Sequence, residues 1–215
     1  MDWAIIKHAM PLLFEGLLAT VKVSVLAILL GIALGVLLGL ISLGRNRPLR
    51  WLVMMYVDFI RGTPLLIQIF LVYFALPVIG LSLPEFWAGV IALGLNAAGF
   101  IAETVRATVG SIERGQTEAA KSIGMTHWQT LAFILLPQAL RPFVPPLTNE
   151  LITLVKGSAL LSVISVYELT RAGQAIISVH FVPFEIFMLI ALYYYALISS
   201  LAWLSRYAER KLPVW

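Results

Sequence analysis

Glu118-Ala119-Ala120-Lys121-Ser122-Ile123-Gly124, followed thirteen residues after its glycine by Leu136-Pro137, is a polar segment set between two long hydrophobic runs. Working outward from it, Glu113, Arg114, Gln116, Thr117, Glu118 and Lys121 form a polar face, while Ala119, Ala120, Ile123 and Met125 supply small apolar contacts at helical spacing. Gly124 predicts a helix C-cap, after which the chain must turn. Thr126 predicts the next N-cap, with Gln129 at the spacing of a capping box. The apolar run Trp128 to Leu136 then ends at Pro137. The pattern describes a short amphipathic helix, a turn and a second helix leading back to the membrane. Such a helix either lies in the headgroups or docks a partner, and spacing alone leaves both open.

The surroundings of this segment are built for lipid. The chain has 215 residues, of which 60% are hydrophobic and 12% charged, and its mean hydropathy is +0.94. A soluble domain could not cover that apolar surface with so few charges. A bilayer needs about 20 apolar residues per helix. Five spans are predicted, at about Gly16–Leu43, Trp51–Ile79, Glu85–Gly110, Phe143–Ser165 and Phe184–Ser205, with a polar loop over 111–142. The fold class is therefore all-α and polytopic, in one transmembrane domain over 1–215. There are no cysteines, hence no disulfide frame or thiolate metal site. No cleaved signal peptide is expected: Asp2 accompanies Lys7, and the first apolar run is too long for a leader.

Basic residues set the orientation. Arg45, Arg47 and Arg50 follow the first span, Arg114, Lys121 and Arg141 lie between the third and fourth, and Arg206, Arg210 and Lys211 close the chain. Placing these inside leaves only Lys7 and Arg171 outside, nine cations against two. The N-terminus is thus expected outside and the C-terminus in the cytoplasm. In the first span Gly31, Gly35 and Gly39 make one stripe, where a neighbouring helix can approach closely. No Gly-x4-Gly-Lys-Ser/Thr occurs, so the chain binds no ATP by a phosphate loop.

The polar segment resembles the coupling loop of ABC importer permeases. Glu118, Ala119, Ala120, Gly124, Ile134, Leu136 and Pro137 match that pattern. Arg61-Gly62-Thr63-Pro64-Leu65-Leu66-Ile67-Gln68 is similar to a stretch of the polar amino acid permeases. Lys156-Gly157-Ser158-Ala159-Leu160 is similar to another, with Ala159 where the family carries a hydroxyl. The resemblance implies the type I importer fold, with Glu118, Ala119, Ala120 and Gly124 coupling the chain to a cytosolic ATPase present in two copies. That partner, and not this chain, would bind ATP and Mg. It further implies import of histidine, lysine, arginine, glutamine or glutamate. An extracytoplasmic amino acid-binding protein would contact Val166 to Pro183 and the N-terminus. The setting would be a prokaryotic inner membrane. Five helices offer too little wall for a pathway, so a second permease copy or a paralogue is expected to pair with this one.

Ionisable groups in hydrocarbon are costly and usually face a cavity or partner. Asp58, Glu103 and Glu150 each fall about 10 Å from the inner boundary, at 1.5 Å per residue. Asp58 with Arg61, and Glu103 with Arg106, are three residues apart and could neutralise each other. Glu150 has no cation at those spacings, so it needs a partner elsewhere or a ligand. A substrate cavity is expected from Asp58, Asn96, Glu103, Asn149 and Glu150, with Arg61 and Lys156 near. A carboxylate suits the substrate ammonium, a cation suits its carboxylate, and the surplus acid favours a cationic side chain.

Other chemistry finds no support. His8, His127 and His180 lie apart without zinc spacing, no nucleophile elbow occurs, and no basic patch of nucleic-acid type is present. An ion-driven secondary transporter is the alternative; it predicts inverted repeats and discontinuous helices, which five unrepeated spans do not offer. An intramembrane lipid enzyme would need a nucleophile and base together, and none is visible.

Overall fold

The computed structural model describes residues 3–211, and every regular element among them is helical. The α-helices are α1 (Trp3–Ser42), α2 (Arg47–Gly62), α3 (Leu65–Phe70), α4 (Glu85–Gly110), α5 (Arg114–Ser122), α6 (His127–Thr130), α7 (Leu136–Gly157), α8 (Leu169–His180) and α9 (Pro183–Arg210). Wide π-turns at Leu71–Ala75 and Leu131–Leu135, and tight turns at Leu76–Ile79 and Ser158–Ile164, extend three of them. Four runs are long and apolar enough to cross a bilayer: Ile5–Ser42, Glu85–Gly110, His127–Ile164 and Pro183–Tyr207. The bent pair Arg47–Gly62 and Leu65–Ile79 supplies a fifth.

α4 is the hub, and its composition explains why. Ala88, Gly89, Ala92, Gly94, Ala97, Ala98, Gly99 and Ala102 are all buried. Small residues around a whole helix let neighbours approach from several sides, which is how helices associate where lipid removes the hydrophobic drive. The glycine stripe of α1 is the main seam. A Cβ on Gly31, Gly35 or Gly39 would come within 2.6–2.8 Å of the Cβ of Ala97, Ile101 or Val105. Both helices advance by four residues at each contact, so they run parallel, offset by 66 residues. Glu85 therefore stands level with residue 19. Residues 3–18 of α1 project past the start of α4 by about 24 Å at 1.5 Å per residue. That projection is not bare: Ala9 and Leu13 pack with Leu169 and Ile176 of α8 and with Ile186 and Ile190 of α9.

Four expectations about the helices change. The first begins at Trp3, not near Gly16, because the packing against α8 and α9 holds a stretch whose hydropathy Lys7, His8 and Glu15 dilute. The second is broken at Thr63-Pro64 and turns by 113°. Proline disfavours helical geometry in the residue before it, and Thr63 is extended at φ −120° and ψ 144°. The second helix of the polar loop does not stop at Pro137 but joins the fourth span, which was expected to begin near Phe143. The π-turn Leu131–Leu135 precedes this proline, which falls in the first turn of α7 where its missing N–H is tolerated. The helix thus runs on from His127 to Ile164, through Pro142, Pro145 and Pro146. Lastly, α8 fills the segment between the fourth and fifth spans, where no helix was expected.

Candidate functional site: a charged cavity beside a broken helix, and an exposed capped helix

The break in the second span builds one side of the cavity. Ile60 would normally give its carbonyl to the N–H of residue 64, but Pro64 has none. Gln68 replaces that donor from the next helix: its Nε2 donates to Ile60 O at 2.8 Å, to Thr63 Oγ1 at 2.9 Å and to Thr63 O at 3.1 Å. Thr63 Oγ1 donates in turn to Phe59 O at 2.8 Å. The carbonyl end of Gln68 accepts from Asn96 Nδ2 of α4 at 2.9 Å. The carbonyl that Pro64 orphans is therefore satisfied within the protein.

Seven residues beyond Asn96, on the same face of α4, Glu103 receives two cations. Arg106 grips it from both nitrogens, Nε at 2.8 Å and Nη2 at 2.6 Å. Arg61, at the end of α2, reaches it across the helices at 3.3 Å. The Glu103–Arg106 pairing expected from spacing is present, whereas Arg61 turns to Glu103 and not to Asp58. A cavity of about 190 Å³ opens here, walled by Ser42, Met54, Asp58, Arg61, Glu103 and Arg106. Both arginine side chains are nearly half exposed, so these contacts orient the groups more than they stabilise the fold.

The other expected site residues are placed as follows. Asp58 is exposed into that cavity and has no salt bridge among the described residues. Glu150 of α7 is partly buried, with the Arg61 charge in electrostatic reach and no salt bridge among the described residues. Asn149 and Lys156 are exposed on α7. Asn96 gives its amide to Gln68 and so belongs to the elbow. Gln68 itself was quoted in the sequence motif without a role. The signal for it was there: a proline four residues after Ile60, and an amide side chain four residues after the proline.

The polar segment has the geometry its caps predict. α5 ends in a left-handed Gly124 at φ +82°. The Gly124 N–H donates to Lys121 O at 2.9 Å and the Met125 N–H to Ala120 O at 3.1 Å, a Schellman closure. Thr126 and Gln129 make both bonds of the capping box, at 3.3 and 2.8 Å. α5 buries Ala120 against its own chain and presents Glu118, Ala119 and Gly124 outward. Ile123 is 78% exposed and Trp128 57% exposed at this polar tip. His127 ties the segment to the end of α1, its Nε2 donating to Leu43 O at 2.9 Å.

At the far end of the molecule Glu168 escaped notice in the sequence, since glutamate is not a favoured N-cap. Its carboxylate is fully buried and accepts from the Arg171 N–H at 2.8 Å, the Thr170 N–H at 2.9 Å and the Tyr194 hydroxyl at 2.9 Å. Burial pushes this carboxyl above its usual range, and the three donors offset part of the rise. Thr20 of α1 accepts the Leu169 N–H at 3.1 Å. Glu168 and Thr20 thereby anchor the start of α8 on α1 and α9.

Comparison with known proteins places the chain in a family. The family model for "binding-protein-dependent transport system inner membrane component" matches residues 31–213. The arginine transport system permease protein ArtQ of Bacillus subtilis is 36% identical over 213 residues, covering 99% of this chain and 97% of its own. The glutamine transport system permease protein GlnP of Escherichia coli K12 is 36% identical over 215 residues, covering 99% and 98%. A chain of the crystal structure of an amino acid ABC transporter with histidines superposes with a TM-score of 0.92 at 36% identity, over 99% of both chains. The chain belongs to the family of binding-protein-dependent transport system inner membrane components, the permeases of ABC importers.

Proposed function

We propose that this chain is the transmembrane subunit of an ATP-driven importer of polar, cationic L-amino acids, working by alternating access in a prokaryotic inner membrane. Two permease chains, identical or paralogous, would enclose the pathway, with the N-terminus outside and the C-terminus in the cytoplasm. The observation that carries the reading is the tip of α5 and α6. An isoleucine 78% exposed on a polar, rigidly capped helix is a surface that gains by being covered. ATP and Mg would be held by the two ATPase subunits that grip these tips. On the opposite side, α8 and the projecting N-terminal part of α1 offer the surface for an amino acid-binding protein.

For the substrate, the cavity walled by Asp58, Arg61, Glu103 and Arg106 supplies both signs of charge; Asn149, Glu150 and Lys156 of α7 lie outside its walls and would complete the site. Glu103 is already met by two arginines, whereas Asp58 and Glu150 are free of salt bridges among the described residues. Glu150 is the carboxylate best placed to select a cationic side chain, since its partial burial strengthens its attraction for a guanidinium or ammonium. Arg61 or Lys156 is suited to the substrate carboxylate. The arginine and glutamine relatives are equally similar, so charge preference is the point to test.

The test is uptake by the reconstituted complex. Glu150→Gln should lower arginine uptake by about tenfold or more, the size of one lost charge-assisted contact, with glutamine uptake and protein yield little changed. Wild-type arginine uptake by that variant removes Glu150 from the site. Uptake that continues without ATP hydrolysis removes the importer reading altogether.

A further inference from the structure

Gln68 and Asn96 form a polar pair that the transport reading above leaves unused. Gln68 is 4% exposed, yet its amide meets four polar partners within 3.1 Å. The bonds to Ile60 O and Thr63 O require Nε2 to face the break and Oε1 to face α4. Asn96 Nδ2 enforces that orientation, because only a donor can meet Oε1. Two further contacts hold α2 to α4 nearby: Tyr56 donates to Leu95 O at 2.6 Å, and a Cβ on Gly99 would come 2.6 Å from Ile60 Cγ2. A helix end freed by proline would ordinarily be a hinge. Here its orphan carbonyl, its neighbouring hydroxyl and the facing helix are all bonded to one amide.

We infer that Gln68 and Asn96 are positioning residues that lock the α2–α3 elbow onto α4, so that the two move as one body and Arg61 stays aimed at Glu103 and the cavity. Arg61 is one residue before Gly62, the last of α2, so any opening of the elbow displaces its guanidinium first. Asn96 and Glu103 hold the elbow from two turns apart on one face of α4, an amide clamp and a charge clamp on the same helix end. The consequence for substrate rests on the cavity proposed above; the clamp itself does not.

Near-isosteric Gln68→Met and Asn96→Leu each remove the clamp while keeping volume, and the exchanged pair Gln68→Asn with Asn96→Gln restores an amide at both positions and their summed length. Spin labels on Leu52→Cys and Val78→Cys, both exposed and on opposite sides of the elbow in a chain without native cysteine, report its angle in the assembled complex. The intact clamp should give one narrow distance distribution, each single variant a broadened or shifted one, and the exchanged pair a return toward the narrow form. With radiolabelled L-arginine, KM should rise about tenfold in the single variants with kcat within about twofold, and neither variant should add to the loss caused by Arg61→Ala. Unchanged distributions in both single variants overturn the inference. A broadened distribution with an unchanged KM supports the clamp and removes Arg61 from the substrate site, so the two readings fail separately.

Discussion

Glu168 is the residue whose environment departs furthest from what its side chain prefers. It is a carboxylate at 0% exposure with three donors and no cation in salt-bridge contact among the described residues. Its carboxyl is held above the usual range by burial, so the folded protein binds this proton more tightly than the unfolded chain does. Stability on its account is therefore highest at low pH and falls as pH rises from the unfolded value through the folded one. The expected outcome is that Glu168→Gln flattens this part of the pH dependence, so the melting-temperature difference between wild type and variant shrinks as pH falls toward the ordinary glutamate range. A difference independent of pH would remove this account. What could be read from the sequence at this scale was local. Glu103 with Arg106 follows from a spacing of three residues on one helix. Arg61 with Glu103, and Glu168 with Tyr194, join residues on different helices, and no spacing encodes the packing that brings them together.

Elements were legible where local chemistry decides them. Gly124 and the Thr126–Gln129 box terminate and restart helices through bonds within a few residues, and both took the expected form. The breaks were harder, because proline has two outcomes. Pro64 ends a helix, whereas the chain passes through Pro137 after the π-turn Leu131–Leu135 and through Pro142, Pro145 and Pro146 inside α7. The α1–α4 seam gives a sharp prediction. Gly35→Ala would place a Cβ 2.6 Å from Ile101 Cβ and 3.0 Å from Ala98 O, whereas Gly110→Ala meets nothing within 4 Å. The first should cost about 1–3 kcal/mol and the second far less, measurable as thermal stability of the purified protein. Gly124→Ala has open space but a left-handed backbone. It should cost about 1–2 kcal/mol at that turn and weaken the link between ATP hydrolysis and uptake more than it lowers the melting temperature.

At the scale of the whole molecule, the number of spans and the helical class were open to hydropathy, because a bilayer imposes length and apolarity on each crossing. The pairing and register of α1 with α4 and the platform of α1, α8 and α9 were not, since they depend on which small residues face which neighbour. The resulting body has a charged cavity beside the broken helix and an exposed apolar tip on a separate capped segment. Force applied to that tip can enter the molecule through His127 at the end of α1 and through the unbroken helix from His127 to Ile164. The central claim is that an ATPase grips this tip. The chain has no cysteine, so Ile123→Cys introduces a single reactive position. In the assembled complex, a short bifunctional crosslinker from this cysteine should capture the ATPase subunit, with a yield that changes when ATP is added. No ATPase adduct from Ile123→Cys, in a complex that still imports substrate, would contradict the account.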